Sequence, residues 1–164
     1  MVWIKQIVYL PLLLVLQFLL VNNLQFMGVC HPYIYVIWLL MLPITLPVPV
    51  DMLIGAAVGL TVDVFCNSIG VHMAACVLLM FFRQGMIRNV YTEYERLNNP
   101  ISMAVIGPEA FIKYAVVLVL MHHSAVFMLS AWSFHAFWWT FLEIILSSVV
   151  TLLLVLGYNL LEQR

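Results

Sequence analysis

Few residues of this sequence can do chemistry, and Asp63 is the first that asks for an explanation. It lies in GAAVGLTVDVFCNSIGVH, residues 55–72, inside an otherwise apolar run. Gly55, Gly59 and Asp63 recur every four residues, so on a helix each is turned by only about 40° from the last and all share one face. Glycines on that face admit a second backbone at close range, and the carboxylate then points into protein. Glu143, His72, His122 and His123 are further titratable groups within apolar segments, assigned to the middle or outer half of the membrane. A cluster of Asp63, His72, His122, His123 and Glu143 has the side chains to bind a metal ion or relay protons, although their spacing matches no metal motif. The simpler reading, which we prefer, is that Asp63 accepts hydrogen bonds from the polar turn NSIG and fixes a helical hairpin. No Gly-x-Ser-x-Gly elbow and no phosphate-cradling glycine loop is present, so no enzyme activity and no cofactor is expected. Cys30, Cys66 and Cys76 are read as small apolar fillers, and a Cys30 to Cys66 bridge is not expected.

The elements that must position these residues follow from composition. Hydrophobic residues make up 66% of the 164, charged residues 8%, and the mean hydropathy is +1.13. Such a chain is an all-α integral membrane protein with one transmembrane domain over residues 1–164. A net charge of −1 without a basic cluster excludes nucleic acid as a partner. Apolar runs predict six transmembrane helices at Ile4–Val21, Tyr33–Leu46, Asp51–Cys66, Gly70–Phe82, Ala110–Ser133 and His135–Leu161, the second to fourth short or tilted. Threading the six basic residues through these spans puts all of them on one side. That side is expected to be cytoplasmic, with both termini inside. Trp132, Trp138 and Trp139 then form an aromatic belt at the outer interface. At about 1.5 Å per residue from Asp51, Asp63 sits roughly 18 Å into a layer of about 30 Å, and Glu143, counted from His135, reaches a similar depth.

The long connection at residues 83–109 is expected to be cytoplasmic. In it Ile87, Val90, Tyr91, Tyr94 and Leu97 recur at helical spacing. This predicts an amphipathic helix on the inner leaflet, read either as a plain connector or as a docking surface using Arg88, Tyr91, Tyr94 and Arg96. Pro108 and Glu109 suit the first turn of the helix that follows.

The segment LIGAAVGLTVDVFCNSIGVHMAACVLLMFFRQ, residues 53–84, resembles the core of the rod shape-determining protein MreD family: glycine, Leu-x-x-Asp, a short polar turn, then glycine and a helix of small residues. The openings QIVYLPLLLVLQFLLVNNL and HPYIYVIWLLMLP are also similar to that family. The resemblance implies a non-enzymatic scaffold subunit of the bacterial cell-elongation complex, in the cytoplasmic (inner) membrane. Gly55, Gly59, Leu60, Asp63 and Gly70 are its motif positions. It implies MreC as the direct partner, with MreB, RodA and a penicillin-binding transpeptidase as indirect ones. The helix count is also similar to the six-helix substrate-binding subunits of energy-coupling-factor transporters, but the first span lacks the Ala-x-x-x-Ala docking motif of those subunits. The alternative function is a small-molecule or proton-coupled transport subunit.

Overall fold

A computed structural model describes residues 2–21, 30–43, 46–91, 99–131 and 137–162. Its elements are α1 (Val2–Leu16) running into a π turn (Gln17–Val21), α2 (Tyr35–Met41), α3 (Val48–Cys66), α4 (Val71–Val90), α5 (Met103–Ile106), α6 (Pro108–Ser130) and α7 (Phe137–Glu162). The helices α3, α4, α6 and α7 have 19, 20, 23 and 26 residues and are long and apolar enough to cross a membrane. At 1.5 Å per residue they are about 28 to 39 Å long, against a hydrocarbon layer of about 30 Å. These four correspond to the third to sixth expected spans. Of the expected aromatic belt, Trp138 and Trp139 are exposed in the first turn of α7, and Trp132 lies outside the described residues.

The four long helices pack in chain order, α3 on α4, α4 on α6 and α6 on α7, while α1 packs on α2. Cross-contacts make α3 and α4, and α4 and α6, antiparallel. Gly59 faces His72 and Met73 while Gly55 faces Cys76 and Met80. Cys76 reaches His122, Arg83 reaches Tyr114, and His123 reaches Thr151. Asp63, His72 and His122 therefore lie toward one end of the bundle and Asp51, Arg83 and Tyr114 toward the other.

The element at the centre is α2, all seven of whose residues are buried. The expected second span, Tyr33–Leu46, is helical only from Tyr35 to Met41, about 10 Å of helix. Pro43 explains its end: the residue before a proline is driven out of the helical region, and Leu42 has φ −58° and ψ 144°. Ending a helix among apolar side chains exposes backbone groups that water cannot reach, so protein groups must bind them. At the start, Ile34 N–H donates to Gln17 Oε1 at 2.7 Å, Tyr33 N–H to Thr151 Oγ1 at 3.1 Å and His31 N–H to Ser147 Oγ at 2.9 Å. At the finish, the Leu40 carbonyl accepts from the Tyr114 hydroxyl at 2.9 Å, the Met41 carbonyl from Ile101 N–H at 3.2 Å, and the Leu42 carbonyl from Arg83 Nη2.

The fourth span also departs from expectation. Its apolar run predicts a stop at Phe82 and the release of Arg83 into a cytoplasmic loop; instead α4 continues to Val90, and Arg83 and Gln84 are buried. A charge remains inside because it meets an opposite charge and the free carbonyls of α2. The amphipathic helix expected over the 83–109 connection is accordingly divided. Ile87, Arg88 and Val90 belong to α4, Tyr91 is extended, and Tyr94 and Arg96 lie outside the described residues. The short α5 is held to α7 by Met103 N–H donating to Asn159 Oδ1 at 3.1 Å.

Candidate functional site

Two enclosed polar centres are built on this frame. The first begins at the hairpin between α3 and α4. Helix α3 ends at Asn67 in the left-handed region, φ 54°, with the Asn67 and Ser68 N–H groups donating to the Asp63 carbonyl. Gly70, φ 74°, then opens α4 from the same region, which glycine enters without steric cost. The Asp63 side chain spans the turn. Its Oδ1 accepts from Ser68 Oγ at 2.5 Å and His72 N–H at 3.0 Å, and its Oδ2 from Met73 N–H at 2.9 Å. A carboxylate on α3 thus binds orphan donors at the positive end of α4.

Gly55 and Gly59 make this approach possible. A Cβ on Gly59 would stand 2.5 Å from the His72 carbonyl oxygen and the Met73 Cα, and one on Gly55 2.9 Å from the Cys76 oxygen. Leu60 points away from this contact and is exposed.

Beyond the cap, Tyr35 Oη lies 3.0 Å from His72 Nδ1 and 3.1 Å from His122 Nε2. The Cys76 thiol is 3.8 Å from the same His122 nitrogen. Tyr33 covers the group, its ring edge-on to His72 and His122 with centroids 5.1 and 5.8 Å away, and 5.2 Å from His123. His123 is bonded separately: Nδ1 contacts the Val119 carbonyl at 3.0 Å and Nε2 contacts Thr151 Oγ1 at 3.1 Å. A carbonyl only accepts, so His123 carries its proton on Nδ1, and Thr151 donates to Nε2. The structure therefore brings together Asp63, His72, His122 and His123 from the expected cluster. Glu143, half-buried on α7, makes no hydrogen bond to them among the described residues. Nor do three His, Cys, Asp or Glu residues among those described form an arrangement able to hold a metal ion. Cys30, Cys66 and Cys76 form no disulfide among the described residues; Cys66 is exposed and the other two are buried.

The second centre escaped the sequence reading. Arg83, fully buried, places Nη1 2.9 Å from Asp51 Oδ2, Nε 3.2 Å from the Tyr114 hydroxyl and Nη2 on the Leu42 carbonyl. Gln84 Nε2 donates to Asp51 Oδ2 at 3.1 Å and to the Leu46 carbonyl at 2.6 Å. A cation at the negative end of α2 complements the dipole as well as Asp51. One signal in the sequence could have found this pair: Asp51 and Arg83 lie sixteen residues either side of Asn67, the turn of an antiparallel hairpin. Of the other expected docking residues, Arg88 is exposed in the last turn of α4 and Tyr91 is half-buried.

The cap geometry sets a graded expectation for Asp63. Asparagine keeps the oxygen that serves Ser68 and His72 but turns an amide N–H₂ toward Met73 N–H, so its loss is intermediate rather than small. Asp63→Leu leaves all three donors unpaired and costs about 1 to 3 kcal/mol, with Asp63→Asn losing roughly half of that. Unfolding of the two variants in detergent micelles checks the order. Equal stability of the leucine variant and the unaltered chain would show that the cap does not hold the hairpin.

Among the described residues, four long apolar helices, a buried half-helix and two enclosed polar centres define a membrane-embedded, multi-pass, all-helical protein. No family model, curated protein or solved structure matches the chain.

Proposed function

We propose that this chain is a non-enzymatic scaffold subunit of the bacterial cell-elongation complex, seated in the cytoplasmic membrane and binding MreC through its helices. The resemblance of residues 53–84 to the MreD family is its origin. One observation supports it best: the two charged groups of that segment are spent on the chain's own architecture. Asp63 caps α4, and Arg83 holds the end of α2. The outward side chains are apolar, with Leu53, Leu60 and Val64 of α3 and Leu153 and Leu160 of α7 all exposed. Such a surface suits lipid and partner helices.

In this proposal α1 with its π turn makes the first crossing, and the segment containing α2 the second. That completes six spans with both termini inside, an arrangement like that of the energy-coupling-factor substrate-binding subunits. Arg88, Tyr91, Tyr94 and Arg96 then face the cytoplasm, within reach of MreB. Cysteine labelling at Arg96 and at Ser133 is expected to report opposite faces of the membrane, and reaction of both from one face would end the six-span arrangement.

Co-expression with MreC and purification through a tag on this chain tests the scaffold itself. MreC is expected to co-purify in stoichiometric amount. Recovery of an ATPase or a small molecule without MreC would instead favour a transport subunit, the reading to which the buried histidine and tyrosine chain gives its support.

A further inference from the structure

Among the described residues, three buried side-chain atoms have no hydrogen-bond partner: Asp51 Oδ1, Ser148 Oγ and His122 Nδ1. The last belongs to a chain whose protons can be counted. Tyr35 has one hydroxyl hydrogen and stands between two ring nitrogens, His72 Nδ1 and His122 Nε2. With both rings donating to it, Tyr35 would give its hydrogen to the Cys76 thiol, which is also a hydrogen-bond partner of its hydroxyl. With Tyr35 donating to one ring and accepting from the other, two neutral arrangements satisfy both bonds. In one, His122 Nε2–H donates to Tyr35 and Tyr35 donates to His72 Nδ1, so each histidine carries its proton on Nε2. In the other every bond is reversed, and each histidine carries its proton on Nδ1. The second arrangement buries an N–H at His122 Nδ1 with no acceptor. The first leaves only a lone pair there, and orphaned N–H groups are the rarer of the two in protein interiors. Of the two bridged arrangements, the relay therefore rests in the one with both protons on Nε2.

We infer that His72, Tyr35 and His122 form a single proton-accepting relay, in which a proton taken up at His122 Nδ1 emerges as positive charge on His72. In the resting chain both bonds along the relay are occupied and His72 Nε2 already holds a hydrogen, so the lone pair left for an added proton is that of the buried His122 Nδ1; on acidification the proton comes from hydronium, which is left as water. His122 then releases its Nε2 proton to Tyr35 Oη, and Tyr35 releases its own to His72 Nδ1. One N–H bond forms at each end, one N–H breaks on His122, and one O–H bond is exchanged at Tyr35. His122 finishes neutral with its proton on Nδ1, and His72 finishes as imidazolium. The charge belongs on His72 because its backbone N–H is bound to the Asp63 carboxylate and the residue is 5% exposed, whereas His122 is 0% exposed. Among the described residues, the titratable groups around the relay are Asp63 and Cys66 from α3, Cys76 from α4, His123 from α6 and Tyr33 before α2, with Glu143 of α7 in electrostatic range of Tyr33. Of these Asp63 is the carboxylate hydrogen-bonded to a relay residue, so the relay moves positive charge toward the cap of the α3–α4 hairpin. This activity does not rest on the scaffold reading.

Nitrogen-15 NMR of the histidine rings, with the whole chain in lipid nanodiscs and pH lowered stepwise, tests it. At the start His72 and His122 are both expected in the Nε2–H form and His123 in the Nδ1–H form. On acidification, His72 is expected to become imidazolium in the same step in which neutral His122 exchanges Nε2–H for Nδ1–H, its two nitrogen resonances shifting in opposite directions. In Tyr35→Phe that joint step is lost while the His123 resonances stay in place, marking an intact fold. Different starting tautomers on His72 and His122 in the unaltered chain would overturn the relay, as would separate titration midpoints for the two rings. Both are read without the variant.

Discussion

Asp51→Ala is expected to destabilise the protein by about 3 to 5 kcal/mol, the largest single effect of any substitution considered for this chain. The cost comes from what remains. Arg83 keeps its charge when buried, and without Asp51 it retains only neutral partners, the Tyr114 hydroxyl and the Leu42 carbonyl. Gln84 also loses an acceptor. The damage extends to α2, because Arg83 bonds the first residue beyond its end. Replacing both partners removes the stranded charge, so Asp51→Leu combined with Arg83→Leu is expected to recover most of the loss, leaving mainly the unbonded Leu42 carbonyl. Reversible unfolding in mixed micelles, followed by tryptophan fluorescence for the single and double variants, measures the difference. Additive losses would mean that the two side chains do not act as a pair.

The second large effect is steric. Gly59→Leu is expected to cost about 3 kcal/mol or more, at or above the upper end of ordinary overpacking, because the obstacle is backbone rather than a movable side chain. The Cβ alone would lie 2.5 Å from the His72 oxygen and the Met73 Cα, so α3 and α4 must part before any rotamer is chosen. Parting them also withdraws Asp63 from the Met73 and His72 N–H groups, one turn along the same face. Gly85→Ala is the matched control. Gly85 is a helical, exposed position where an added methyl would meet nothing within 4 Å, and alanine there is expected to gain about 0.5 to 1 kcal/mol from its better helix propensity. Thermal aggregation midpoints of the two variants should move in opposite directions. A Gly59→Leu protein as stable as the original would show that the helices of this hairpin are not in backbone contact.

Some of this molecule was legible in its sequence because the physics involved is local. A run of about twenty largely apolar residues makes a membrane helix whatever surrounds it, since every backbone bond is then closed within the segment. Helices α6 and α7 are of this kind; the shorter apolar runs of α3 and α4 announced those helices without fixing their lengths. The four-residue spacing of Gly55, Gly59 and Asp63 likewise dictates one face, and a turn rich in small polar residues lies within reach of that face. The proline-rich turn after Leu42 marked the break between α2 and α3, with Pro43 and Pro47 between the helices and Pro49 in the first turn of α3.

Tertiary structure decided what depends on partners distant in the chain. How far α4 runs past Phe82 could not be read from hydropathy, because a charged residue scores as exposed until its counter-charge is located. Asp51 is 32 residues away from Arg83 and meets it only once the hairpin has closed. Tyr35 had no distinguishing mark within an aromatic, apolar run, since its role comes from two histidines 37 and 87 residues further on. The seven-residue α2 is the clearest instance. An isolated helix of that length is unstable in water and too short to cross a bilayer. It exists here because Gln17, Thr151, Tyr114 and Arg83, from four separate elements, supply the hydrogen bonds that its own ends lack. The apolar segments themselves specify which helices form; the satisfaction of buried backbone and charge by groups remote in sequence decides where those helices stop.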